Sequence, residues 1–177
     1  QAESFGDPKE VTTPNLASLT LLVEDDTTSL LLTGDARGDQ IVDGLKHALT
    51  ARHAVLAAAA KVRDVKASGG LNIEGLEISP DQRRLMIGFR SPLREGRALI
   101  ASVENLAEVF ESDAAPRIAP LLDELDLGGH GIRGLSYVPA LGAYLVIGGP
   151  TSREPADFGL WRWSGEPGAP AQRVTAA

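Results

Sequence analysis

Two apolar runs, Leu16–Glu24 and Thr28–Thr33, open the patterned part of the chain, with the acidic stretch Glu24-Asp25-Asp26-Thr27 between them. Both are rich in Leu, Val and Thr, and a polar break between two such runs is a hairpin signal. Strands that are almost continuously apolar usually have both faces covered. The period then changes. From Asp39, a plausible N-cap, the residues Ile41, Val42, Leu45, Ala48 and Leu49 recur at helical spacing. The alanine-rich segment from about Thr50 to Val65 predicts a second helix. Lys61, Arg63 and Lys66 lie where the helix dipole favours cations, and Gly69-Gly70 ends the segment.

After Gly70 the chain is strand-like, rich in turns, and repetitive. Ile73, Gly75, Leu76 and Pro80 match Ile132, Gly134, Leu135 and Pro139 at one fixed offset. A shift of one residue then aligns Leu85–Gly88 with Leu145–Gly148. Each copy reads as strand, Pro-containing turn, strand ending in Gly, long loop and strand, the texture of one propeller blade. The expected fold is therefore α+β and β-rich: a β-hairpin and two helices, then partial, propeller-like antiparallel sheets in two repeats. The expected divisions are a lead-in over 1–14, the hairpin and helices over 15–67, two blade-like repeats over 68–166 and a tail over 167–177. A propeller typically takes four blades or more. Two copies thus predict that remaining blades or another chain complete the fold.

Composition narrows the chemistry. The chain has no cysteine, which excludes disulfides and thiolate metal sites. Of the net charge of −7, residues 1–47 carry −6, from nine acids and three bases. No basic stripe offers phosphates a landing surface, so nucleic acid is not an expected partner. The longest apolar run, Ala54–Ala60, is far short of the roughly 20 residues that cross a bilayer, so no membrane role is expected. No signal peptide is visible, which points to the cytoplasm.

Two resemblances bear on these segments. "KASGGLNIEGLEISPDQRRLMIGFRSPLREGRALI", "DLGGHGIRGLSYVPALGAYLVIGGP" and "LWRWSG" together resemble a bacterial family described only as domain of unknown function 3616, over residues 61–165. That resemblance implies a propeller-like fold and leaves the activity open. "IEGLEISPD", "SPL" and "GRALI" also look like phytase-type esterase propellers, more loosely. "NLASLTLLVEDDTTSLLLTGDAR", over residues 15–49, is similar to the late part of a metallo-β-lactamase-fold hydrolase, in which the Asp of Thr-Gly-Asp bridges two metals. The family's His-x-His-x-Asp-His loop and its later His turn are missing here. A catalytic zinc needs about three protein ligands. Asp35 is accordingly a weak metal candidate, expected to act as a turn carboxylate, and no cofactor is expected unless upstream ligands supply a divalent metal.

Glu74, Arg90 and Arg133 are the candidate ligand-binding residues. Each is a charge inside an apolar, glycine-punctuated strand, and Arg133 is the repeat counterpart of Glu74. Such charges must pair, reach solvent or meet a ligand. A carboxylate with two guanidiniums suits a small phosphate or carboxylate. The alternative is mutual pairing between neighbouring blades. His130 reads as a solvent-facing loop histidine, Trp161 and Trp163 as core residues on one strand face, and Asp123–Asp126 as an acidic turn. The expected function is a non-catalytic, β-rich binding or interaction module for a small anion or a protein. The alternative is a hydrolase, either a phytase-like phosphoesterase or a metallo-β-lactamase remnant.

Overall fold

The computed structural model describes residues 21–24, 29–32, 39–64, 69–112, 114–152 and 157–175. The chain divides into two compact units, Gln1–His47 and Ala48–Ala177. In the first, β1 (Leu21–Glu24) pairs antiparallel with β2 (Ser29–Leu32), Leu21 opposite Leu32 and Glu24 opposite Ser29. The expected hairpin is therefore present among the described residues. Asp35 lies outside them.

Helix α1 spans Asp39–Arg52, and α2 (Ala54–Ala59) follows after one extended residue, His53. The break falls at His53, not at Thr50 as the alanine pattern suggests. At the break the His53 backbone is extended, and its Nε2 lies 3.1 Å from the Ala119 carbonyl, which can only accept, so Nε2 carries the proton. His53 is buried, as are Leu49, Leu56 and Ala59 around it. No helix among the described residues is long and apolar enough to cross a membrane.

The second unit holds two four-stranded antiparallel sheets. The first runs β3 (Asn72–Ile78), β4 (Leu85–Ser91), β5 (Ala98–Val103) and β6 (Asp123–Leu125) in that spatial order, with α3 (Leu106–Ser112) between β5 and β6. The second runs β7 (Gly131–Val138), β8 (Ala143–Gly149), β9 (Gly159–Trp163) and β10 (Gln172–Arg173), also in sequence order. Asp123–Leu125, expected as part of a turn, pairs instead with Ile100–Ala98 of β5.

The registers correct the sequence alignment of the two copies. Gly75 faces Gly88 and Ile78 faces Leu85 in the first sheet; Gly134 faces Ile147 and Tyr137 faces Tyr144 in the second. One offset of 59 residues, from Ile73 to Ile132 and from Leu85 to Tyr144, therefore holds through both strands. The one-residue shift that matches Leu85–Gly88 to Leu145–Gly148 is a coincidence of letters. In a strand it would turn every side chain to the opposite face.

Between the sheets lies one core. Met86, Ala98, Ile100, Leu125 and Leu127 come from the first sheet and its exit; Ile132, Leu135, Tyr144, Val146, Trp161 and Trp163 come from the second. The two tryptophans alternate with Arg162 and face inward together, as strand periodicity predicts. Ile87, Phe89, Leu99, Ala101 and Val103 point away from the second sheet and are buried as well, so both faces of the first sheet are covered. A close approach within this core is at Ile132. A Cβ added to Gly88 would lie 2.8 Å from Ile132 Cγ2, and one added to Gly75 would lie 2.9 Å from it. Two facing glycines thus form the floor on which the second sheet rests.

Gly88→Ala should lower stability by about 1–3 kcal/mol, because the buried, branched Ile132 cannot swing aside. The loss should shrink in an Ile132→Ala background, where the clash is gone. Urea unfolding of the four chains in this cycle measures both. A second expectation concerns pH. Burial, opposed by the Ala119 hydrogen bond, holds the His53 pKa below its ordinary value. As pH falls through about 6.5, the unfolded chain takes up the proton first, so stability drops until the folded pKa is passed. His53→Gln should flatten this part of the stability–pH curve.

Candidate functional site: a Glu–Arg–Arg cluster between the sheets

The two sheets share a local irregularity. The ladder between β3 and β4 slips between Ile73 and Gly75, and that between β7 and β8 slips between Ile132 and Gly134. The residues left unpaired are Glu74 and Arg133. A bulge re-aims the side chain it carries, and these two bulges occupy equivalent places in the two sheets. Arg90 comes from the far end of β4 and is buried. There β7 passes very close to it: a Cβ on Gly131 would overlap the Arg90 carbonyl oxygen at 1.8 Å. Only glycine lets the two backbones meet there.

The three expected residues come together. Arg90 Nη1 donates to Glu74 Oε1 at 3.1 Å, and Arg133 Nε lies 2.6 Å from Glu74 Oε2. One carboxylate therefore bridges two guanidiniums, one from each sheet. Both arginines also donate to the Pro150 carbonyl, Arg90 through Nε at 3.0 Å and Arg133 through Nη1 at 3.1 Å. Arg90 Nη2 donates to the Ser152 carbonyl at 2.6 Å. The Arg133 guanidinium stands 5.4 Å over the Phe158 ring, a cation–π arrangement. The cluster holds β3, β4, β7 and the β8–β9 connection together. It carries two positive charges against one negative.

Sequence reasoning brings out the three charged side chains but not what completes them. The Pro150 and Ser152 carbonyls have no side-chain signature. Nor does it identify Glu77, whose Oε2 accepts the Tyr137 backbone N–H at 2.8 Å and joins the inner edges of the two sheets a second time. Its only signal is a second charge in the same short strand.

Other candidates lie elsewhere. His130 Nδ1 sits 2.8 Å from the Leu127 carbonyl, and its ring centroid is 5.7 Å from that of Trp161. It is half-buried rather than solvent-facing. Asp123 is half-buried, and desolvation raises its pKa against the lowering field of Arg84. Glu124 pairs with Arg94 at 2.7 Å. Among the described residues no three His, Asp or Glu side chains group so as to hold a metal ion.

No curated protein and no solved structure matches the chain. A family model does, over residues 20–177. The match takes in the hairpin, the helices and both sheets, so the Thr-Gly-Asp stretch falls inside it, and no resemblance to a metallo-β-lactamase-fold hydrolase is shown. The chain therefore belongs to the family described as protein of unknown function DUF3616.

Proposed function

We propose that this chain is a non-catalytic, β-rich interaction module with propeller-like, blade-type sheets, in which the Glu74–Arg90–Arg133 cluster is an inter-sheet clamp. The observation that carries the reading is the bridging carboxylate. Both oxygens of Glu74 are engaged, one by each sheet's arginine, and the remaining described bonds go to backbone carbonyls. Planar guanidiniums suit such multiple, directional contacts, and lysine would not replace them. The blade-type reading is supported by the matching strand order and the matching bulges of two stacked meanders.

A second reading places a small anion at the same cluster, as a binding or phosphoesterase site. The excess guanidinium charge favours it. The two readings differ in what the arginines are for, and that difference is measurable.

Under the clamp reading, Arg133→Ala should cost about 1–3 kcal/mol, because it leaves a partly buried carboxylate short of a partner. Arg133→Lys should recover only part of the loss. Phosphate, phosphoesters and dicarboxylates should leave the melting temperature unchanged. A saturable rise with one of them, abolished in the Arg90→Ala, Arg133→Ala chain, would instead establish the anion site.

A further inference from the structure

The second sheet carries a groove of its own, at the end away from the Glu–Arg–Arg cluster. Gly131 and Gly149 stand at the cluster end of the β7–β8 ladder, Val138 and Ala143 at the other. At that other end Ala143, Arg162, Ser164, Ala169, Pro170 and Gln172 line a groove of about 330 Å³. Small-molecule sites run from about 300 to 1,000 Å³, so this one admits a small ligand and nothing larger.

The strand pattern builds it. Trp161 and Trp163 turn into the core, so Arg162 between them turns outward, and Ser164 follows at the strand end. β10 brings Gln172 opposite Arg162. The connection from β9 to β10 supplies a wall, with Ala169 packed against the core and Pro170 beside it.

The lining has donors to spare. Arg162 Nη2 donates to the Leu141 carbonyl at 2.9 Å, a bond between two turns of the chain that holds the guanidinium in place. It uses one of five N–H groups, and Arg162 makes no ion pair among the described residues. Ser164 Oγ accepts the Glu166 N–H at 3.3 Å, which leaves its own proton to give. The Gln172 carboxamide makes no hydrogen bond among the described residues. Ala143, Ala169 and Pro170 are apolar, and none of the lining groups is a carboxylate. A guanidinium without a counter-ion thus shares one small space with two neutral polar groups and an apolar side. A single fork of this kind matches one carboxylate bidentately. Phosphate, with more charge, calls for more than one cation.

We propose that this groove binds a small monocarboxylate with a short hydrocarbon chain, Arg162 and the Ser164 hydroxyl holding the carboxylate and the Ala143, Ala169 and Pro170 side holding the chain. The site goes beyond the interaction-module reading and does not depend on the clamp. Arg162 is exposed and its field is screened by salt, so the affinity is modest.

Titration of the full chain with sodium hexanoate, followed residue by residue with heteronuclear NMR, tests this. Saturable shifts are expected at the backbone amides of Ser164 and Gln172 and at the Arg162 Nε–H. Arg162→Ala should weaken binding at least about tenfold, the worth of hydrogen bonds to a charged group. Its melting temperature should stay close to the parent's, since the side chain is exposed. Arg173→Ala is the matched control. It removes the same charge from the residue beside Gln172 but from the other face of the sheet, where Arg173 stands 5.5 Å over the Trp161 ring. It should leave the affinity unchanged. Hexanamide, of the same shape without the charge, should bind at least about tenfold more weakly than hexanoate, and so should inorganic phosphate. Hexanoate that gives no saturable shifts overturns the proposal, as do shifts that survive Arg162→Ala or weaken equally in Arg173→Ala. Phosphate or hexanamide binding as tightly as hexanoate overturns the carboxylate assignment. An anion at the Glu74 cluster would respond instead to Arg90→Ala, Arg133→Ala, so the two sites are scored apart.

Discussion

Ile132 resting on Gly75 and Gly88 is the contact on which the second unit depends. The missing side chains let β7 settle onto β3 and β4 at a distance that any larger residue would forbid. That approach sets the sheet spacing, and the spacing decides what else can touch. Trp161, Trp163 and Tyr144 fill the space farther from the edge strands, with Trp161 lying over Gly148 and Gly159 and Tyr144 over Gly165. Burial of this apolar area supplies the main driving force for joining the sheets.

The same closeness explains the charged cluster. A carboxylate and two guanidiniums between packed sheets would be expensive to desolvate if left to themselves. Here the bulges at Glu74 and Arg133 lift both side chains out of the apolar rows and toward each other. The Pro150 and Ser152 carbonyls take up further N–H groups of the arginines. Glycine again makes this feasible, since β7 must pass against the Arg90 carbonyl at Gly131. The cluster therefore fixes the rotation of one sheet over the other, which apolar packing alone specifies loosely.

Stacking of the two sheets has a further consequence for the surface. Ile73 and Leu76 are exposed because they lie on the edge strand β3, and Ile147 because it faces away from the first sheet. Each is the counterpart of a residue in the internal contact: Ile73 of Ile132, Leu76 of Leu135, Ile147 of Gly88. Their exposure follows from the way the repeat stacks, not from a loose surface composition.

The local elements were legible in the amino-acid sequence because their causes are local. Apolar runs around an acidic break form a hairpin, helical spacing from Asp39 forms a helix, and paired Ile-x-Gly-Leu segments form equivalent strands. Even the three charged site residues stood out, as charges in strands that otherwise exclude them. What the sequence left open depends on contacts distant along the chain. At the break between the helices the His53 side chain meets the carbonyl of Ala119, 66 residues away. The second strands align without a shift because backbone pairing, not the resemblance of one tetrapeptide to another, sets register. The acidic run at Asp123 is a strand because β5 has an open edge beside it. Periodicity could show that Glu74 and Arg133 are equivalent. Only the stacking of one sheet on the other decided that they meet, since a meeting requires a spacing that residues outside both strands help to set.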